Sequence, residues 1–189
     1  MKLLLHSCCA PCTVKCAETL SGESIQPDLF WYNPNIHPFT EYKQRRDTLV
    51  SFAAEKNLNL SRIDEYGLRS FIRAVFPDLE NGSKTERPRC TVCYRMRLEK
   101  TAEHAAEKKY DAFSTTLLIS PYQDHDLIKK IAEEIAEKYE VPFLYRDFRP
   151  YFREGQAKAR EMGLYMQKYC GCIFSEEERF CSSEERYCK

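Results

Sequence analysis

This 189-residue sequence has little of what marks several whole classes of protein. Glycine is scarce, at six residues, and there is no Gly/Ser tract, internal repeat or low-complexity stretch, which excludes solenoids and flexible linkers. No run approaches the ~20 apolar residues of a membrane span. The opening Met1-Lys2-Leu3-Leu4-Leu5-His6 is too short for a secretory leader. Net charge is also missing: 29 basic and 29 acidic residues cancel, so any attraction for nucleic acid has to be local. These absences imply a cytoplasmic chain with no membrane partner, in a compartment where thiols stay reduced. The length fits one domain that buries roughly 70% of its unfolded surface, so folding requires no disulfide.

What the chain does have is cysteine. Of ten, seven fall into three tight groups: Cys8-Cys9-Ala10-Pro11-Cys12, Cys90-Thr91-Val92-Cys93 and Cys170-Gly171-Cys172. In a reducing compartment such spacing points to metal ligation or redox chemistry. Cys9, Cys12, Cys90 and Cys93 make a four-thiolate set that suits zinc or a [4Fe–4S] cluster. Cys8, Cys170 and Cys172 are surplus to it. Adjacent residues on an extended segment point to opposite sides, so Cys8 and Cys9 are expected to serve two neighbouring metals. Structural zinc and metal-free dithiol chemistry are the competing readings. Cys16, one helical turn past Cys12, reads as a small buried hydrophobe. Cys181 and Cys188 read as incidental thiols or as a disulfide bond in an oxidised sample.

Apolar runs place strands at 2–7, 25–33, 58–63, 111–117 and 141–145. Helices are expected at 11–20, 38–57, 66–76, 90–109, 124–139 and 154–168, with a polar loop at 77–88 and an irregular tail. In the helix at 124–139, Leu127, Ile128, Ile131 and Ile135 share one face. Alternation of strand and helix predicts an α/β fold: a Rossmann-like three-layer sandwich around a central parallel sheet of about five strands. Function in such sheets collects at the carboxyl ends of the strands, where Cys8, Cys9 and Cys12 fall.

Five segments occur in one order: His6-Ser7-Cys8-Cys9-Ala10-Pro11-Cys12, Tyr32-Asn33-Pro34-Asn35-Ile36-His37-Pro38, Arg89-Cys90-Thr91-Val92-Cys93-Tyr94, Thr115-Thr116-Leu117-Leu118-Ile119-Ser120-Pro121-Tyr122 and Gln167-Lys168-Tyr169-Cys170-Gly171-Cys172. Together they resemble the QueH-type epoxyqueuosine reductase family, over about residues 4–174. The resemblance implies a HUP-type Rossmann-like catalytic, metal-binding domain at 1–174 with a C-terminal tail at 175–189. It implies reduction of the epoxide of epoxyqueuosine, at the wobble position of tRNA, to queuosine. The implied cofactors are a [4Fe–4S] cluster, on Cys9, Cys12, Cys90 and Cys93, and an additional iron, on Cys8, Cys170 and Cys172. Many enzymes of the fold bind ATP through a glycine-containing loop after the first strand. Here that place reads Ser7-Cys8-Cys9-Ala10-Pro11-Cys12, which lacks those glycines.

Loss of the epoxide oxygen takes two electrons and two protons, so the implied partners are the modified tRNA and an electron donor of ferredoxin or flavodoxin type. Cys8, His37, Asp147 and Tyr169 are the candidate catalytic residues, with His6 a further proton donor. A helix-entry role for His37 and an ion pair with Arg146 or Arg149 for Asp147 are the plainer readings. His104 and His125 read as surface residues. Arg87, Arg89, Arg95 and Arg97 flank the second cysteine pair; Arg146, Arg149, Arg153, Lys158, Arg160 and Lys168 precede the third. These are candidates for RNA phosphate, and Tyr32, Tyr94, Tyr151 and Tyr165 for stacked bases. Rival functions are an iron–sulfur tRNA thiolase, which would need the missing phosphate loop, a zinc-stabilised RNA-binding module and a thiol sensor.

Overall fold

A computed structural model describes residues 1–80 and 88–181, the side chains of 78–80 excepted. Arg87, Cys188 and most of the expected loop at 77–88 lie outside the described residues. Four strands form a parallel sheet: β1 (Leu3–His6), β2 (Pro27–Trp31), β3 (Leu60–Arg62) and β4 (Ala112–Thr115), in the order β3-β2-β1-β4. β1 pairs with β2 from Leu3↔Pro27 to His6↔Phe30 and with β4 from Leu3↔Ala112 to His6↔Thr115. Paired on both sides and covered on both faces, Leu3, Leu4 and Leu5 are fully buried, which is why this strand reads as a continuous apolar run.

The fifth strand expected at 141–145 is reduced to one bridge, Phe113↔Phe143, on the free side of β4. Phe113 N–H bonds to the Pro142 carbonyl at 3.0 Å and Leu144 N–H to the Phe113 carbonyl at 2.8 Å. Pro142 has no N–H to extend the ladder, so the pairing stops there.

The helices are α1 (Ala10–Gly22), α2 (Phe39–Glu55), α3 (Leu68–Glu80), α4 (Pro88–Glu107), α5 (His125–Tyr139), α6 (Phe152–Glu161) and α7 (Ile173–Phe180). α1 packs against α2 and α6, while α4 packs against α3 and α5, which covers the sheet on its two sides. α5 begins where Asp124 Oδ1 accepts the Leu127 N–H at 3.0 Å, and it buries Ile128, Ile131 and Ile135. His125, read as a surface residue, is buried: its ring meets the Ser120 carbonyl at 3.3 Å and the edge of Tyr145. His104 is half-buried and stacks on Phe30.

Beyond shifts of a residue or two at helix ends, the helices depart from expectation at three places. α3 runs through Pro77 to Glu80. α6 stops at Glu161 rather than Lys168, because Gly163 takes a left-handed conformation (φ +66°) that ends the helix. The expected irregular tail contains α7, which begins after Cys172.

Residues 33–37 form the loop after β2, and Trp31, the single tryptophan, is fully buried at the end of that strand with Nε1–H donating to Tyr42 Oη at 3.2 Å. Gly67 lies against this loop: a Cβ there would sit 2.3 Å from Pro34 Cβ and 3.0 Å from Pro34 Cα. Gly67→Ala must displace the loop or α3, and is expected to cost about 1–3 kcal/mol, read as a lower denaturation midpoint. An unchanged midpoint would show that the loop yields freely.

Candidate metal centre

The strand order reverses between β1 and β4, and the crevice at this switch point lies beyond their carboxyl ends. Cys8 follows β1, and Thr116 follows β4. The Cys8 backbone N–H donates to Thr116 Oγ1 at 3.1 Å, closing the two ends together.

Cys8, Cys9 and Cys12 form the first thiol set, with all three Sγ atoms within 4.8 Å of one another. Cys8 Sγ and Cys9 Sγ are 3.8 Å apart. Two thiolates on one tetrahedral metal at 2.3 Å stand about 3.8 Å apart, so this set fits a single ion. The expectation that these neighbours point apart is therefore corrected. The strand has ended at His6, the chain bends at Cys8, and Cys9 is already the N-cap of α1 (φ −173°, ψ 160°), so strand alternation no longer applies.

The second set gathers Cys90 and Cys93, on the first two turns of α4, near Cys170 and Cys172, which flank Gly171 before α7. Cys93 and Cys172 pack with Phe71 and Val75 in a small cluster of their own. Burial pushes the Cys90 and Cys93 thiols up, and the neighbouring Cys170 and Cys172 push the same way. Burial also raises Cys9, while Cys12 is raised chiefly because Cys8 holds its proton in a hydrogen bond. Cys8 moves the other way: bonds from Cys12, Cys9 and Thr116 stabilise its thiolate. Thiols raised by burial ionise together only with compensating positive charge, which a bound metal supplies.

Both sets open on one cleft of about 710 Å³, whose lining includes Cys8, Cys12 and Cys170. Among the described residues, five cationic side chains line it, Arg45, Arg97, Arg153, Arg160 and Lys168, and no carboxylate does. Polar side chains converge on the sulfurs. Gln167 Nε2 donates to Cys9 Sγ at 3.0 Å, Thr116 Oγ1 to Cys8 Sγ at 3.4 Å, Gln123 Nε2 to Cys170 Sγ at 3.5 Å and Arg97 Nη2 to Cys93 Sγ at 2.9 Å.

Arg45 holds the third cysteine group in place. It is 2% exposed; its Nε donates to Glu41 Oε1 at 2.6 Å, and its terminal nitrogens donate to the Cys170 and Tyr169 carbonyls, each at 2.9 Å. Tyr165 Oη bonds the other oxygen of Glu41. Gly171 lies close under this guanidinium, with φ +139°; a Cβ there would be 3.1 Å from Arg45 Nη1 and 3.3 Å from Ile36 Cγ1.

The sequence-derived catalytic candidates separate. Cys8 and Tyr169 line the cleft; His37 and Asp147 do not. Tyr169 Oη donates to the His37 carbonyl at 2.5 Å, and burial raises the phenol, so it stays protonated. His37 is buried beside Tyr66 and Phe71, and neither ring nitrogen has a hydrogen-bond partner among the described residues. Burial lowers its pKa to about 4, and the nearby Pro34 carbonyl offsets only part of that. Asp147 accepts Arg149 Nε at 2.8 Å and Nη2 at 2.7 Å, which lowers its carboxyl to about 2. His6 is likewise neutral, lowered to about 4 by burial, and joins Thr115, Tyr32 and Asn33 behind the thiols.

Of the expected RNA-facing residues, Arg97, Arg153, Arg160 and Lys168 reach the cleft, but Arg97 is buried against Cys93 rather than open to RNA. Arg89, Arg95, Arg146 and Lys158 instead pair with Glu178, Glu134, Glu23 and Glu18. Tyr32 and Tyr94 are buried, and Tyr165 faces Glu41; the exposed aromatic at the cleft is Tyr122, 76% exposed, with its ring edge-on to Phe152. Sequence reasoning missed Arg45, Gln123 and Gln167 as site residues. Only Gln167 carried a signal, lying inside a cysteine motif.

A Rossmann-like sheet whose switch point bears clustered thiols in place of a glycine loop defines an α/β protein suited to hold metal in a cationic cleft. The family model described as "Epoxyqueuosine reductase QueH" matches residues 3–178, and the chain belongs to that family of oxidoreductases. It is 36% identical over 179 residues to the Epoxyqueuosine reductase QueH of Dehalococcoides mccartyi, covering 95% of this chain and 94% of the relative. It is 39% identical over 184 residues to the protein of the same name from Thermotoga maritima, covering 94% and 91%. In fold it resembles a predicted subunit of tRNA methyltransferase from Methanocaldococcus jannaschii, at 14% identity and a TM-score of 0.50 over 95% of this chain and 93% of that one.

Two outcomes are expected. In metal-free protein near neutral pH, iodoacetamide modifies Cys8 ahead of Cys9, Cys12 and Cys93, because its depressed pKa keeps a thiolate fraction that the others gain only as pH rises; peptide mass spectrometry ranks the rates. Gly171→Ala crowds Arg45 and displaces Cys170 and Cys172, so the protein stays folded by circular dichroism but retains less than half the metal of the wild type.

Proposed function

We propose that this protein is an epoxyqueuosine reductase that converts the epoxide of epoxyqueuosine in tRNA to the cyclopentenediol of queuosine. The observation that carries the reading is the opening of two thiol sets onto one cleft whose charged lining, among the described residues, is cationic. A structural zinc site needs four ligands and no cleft.

Cys90, Cys93, Cys170 and Cys172 match the number of thiolates that a [4Fe–4S] cluster takes, and their mutual influence supports that assignment. Cys8, Cys9 and Cys12, spaced for one tetrahedral ion, are assigned to the additional iron. Relative to the expectation from spacing, Cys170 and Cys172 exchange places with Cys9 and Cys12. When bound, these groups supply electrons one at a time and a Lewis acid for the epoxide oxygen.

The chain's own residues do the rest. Arg153, Arg160 and Lys168 hold backbone phosphates at the rim, and Tyr122 offers its face to a neighbouring base. The base enters the cleft and turns its epoxide to the floor, where Cys8 and Tyr169 lie. Tyr169 donates its Oη proton, freed from its hydrogen bond to the His37 carbonyl, to the departing oxygen, and water supplies the second proton and restores the phenol. Two electrons arrive from a soluble ferredoxin-like or flavodoxin-like donor, and the products are an alkene and water. A tRNA substrate accords with action in the cytoplasm, and among the described residues no helix is long and apolar enough to cross a membrane.

Anaerobically loaded wild-type protein is expected to hold about four sulfides and four or five irons per chain and to reduce epoxyqueuosine tRNA; zinc without sulfide would overturn the reading. Cys90→Ala loses sulfide, whereas Cys8→Ala keeps it and loses one iron, and the reverse pattern would restore the split expected from spacing. Arg160→Gln with Lys168→Gln weakens tRNA binding and lowers its salt slope by about 1–2, measured by fluorescence anisotropy across salt concentrations.

A further inference from the structure

Two guanidinium groups are fully buried at the floor of the cleft, and they are not alike. Arg45 faces a carboxylate, Glu41. Arg97, on α4 one turn after Cys93 and also 2% exposed, faces none among the described residues. Its Nε donates to the Cys93 carbonyl at 3.1 Å and its Nη2 to Cys93 Sγ at 2.9 Å. The groups that act on its charge are Cys93, Cys170, Cys8 and Tyr94. The set spans both thiol groups, and the charge is felt as far as His6 at the end of β1, whose protonation it opposes. A buried cation without an anion is costly, so the fold carries Arg97 only against thiolate charge.

We infer that Arg97 sets the reduction potential of the thiolate-bound metal by holding a permanent positive charge against its sulfurs. The inference rests on the redox reading above. Net charge and hydrogen bonds to sulfur are two of the levers that fix the potential of a thiolate-bound cluster, and Arg97 applies both at Cys93. A positive charge favours the form with one more electron. The overall change, epoxide plus two electrons and two protons to alkene plus water, needs the site to be filled twice from a one-electron donor of ferredoxin or flavodoxin type. Arg97 raises the potential so that each filling runs downhill. It is a positioning residue for charge, outside the ligand set.

The test compares wild type, Arg97→Gln and Arg97→Lys, each loaded anaerobically, with iron and sulfide counted and the midpoint followed by an EPR-monitored redox titration. Arg97→Gln is expected to keep its metal while the reduced fraction at the wild-type midpoint falls about tenfold, equivalent to about 59 mV for one electron. Arg97→Lys, which keeps the charge, stays within about threefold of wild type. Full loading of Arg97→Gln with an unmoved midpoint overturns the inference, as does an equal shift in Arg97→Lys, which would assign the effect to lost hydrogen bonds. Should Arg97→Gln lose its metal, Arg97→Lys decides: retention near the wild-type midpoint supports the role of charge, and loss of metal there too makes Arg97 structural and overturns it. Product analysis on wild type separates the two readings. Epoxide reduction with an unmoved midpoint sinks only the role of Arg97; a moved midpoint without epoxide reduction sinks only the proposed activity.

Discussion

The buried pair of Arg45 and Glu41 is the interaction on which the site depends. A guanidinium 2% exposed and a carboxylate nearly as buried are held 2.6 Å apart, and the remaining donors of Arg45 go to the carbonyls of residues 169 and 170. Removing one member of such a pair leaves an unpaired buried charge, at about 3–5 kcal/mol. Here the loss would fall on geometry as much as on stability. The segment from 162 to 172 has no helix or strand of its own, so Arg45 from α2, together with the bonds between His37 and residues 169 and 171, ties it to the body of the fold. Gln167, Tyr169, Cys170 and Cys172 all ride on that segment.

The fold explains why three cysteine groups about 80 residues apart converge. A parallel sheet with reversed order at β1 and β4 makes one crevice, and every element after a strand returns to that edge. In nucleotide-binding relatives of this architecture, backbone N–H groups in the crevice meet phosphate. Here Cys9 takes the N-cap position of α1 and its neighbours present sulfur. The same edge thus gathers thiols at one point and places Arg153, Arg160 and Lys168 around them. Net neutrality of the chain concealed this local division.

Much of this was legible in the sequence, for definite reasons. Buried parallel strands read as apolar runs, and the isoleucines of α5 recur at helical spacing, so sheet and helices were placed nearly in full. Boundaries failed where one residue overruled its surroundings: Pro142 cut the fifth strand to a bridge, and Gly163 ended α6 early. The seven grouped cysteines were found at once, but the convergence of Cys8, Cys9 and Cys12 on one point was not legible, because it depends on a bend at Cys8. Arg45 resembled an ordinary charge on a helix face, and Arg97 was read as a candidate for RNA phosphate, whereas both are buried. Burial changes what an arginine does, and burial belongs to the tertiary structure.

Trp31 has a practical corollary. It is the only tryptophan in the chain, wholly shielded from water at the end of β2, on the same edge of the sheet as the thiols. Indole emission from this protein therefore comes from one place and one environment. A coloured group seated in the cleft accepts that energy and dims it, so the chain carries an intrinsic optical gauge of its own loading, readable in real time without a label.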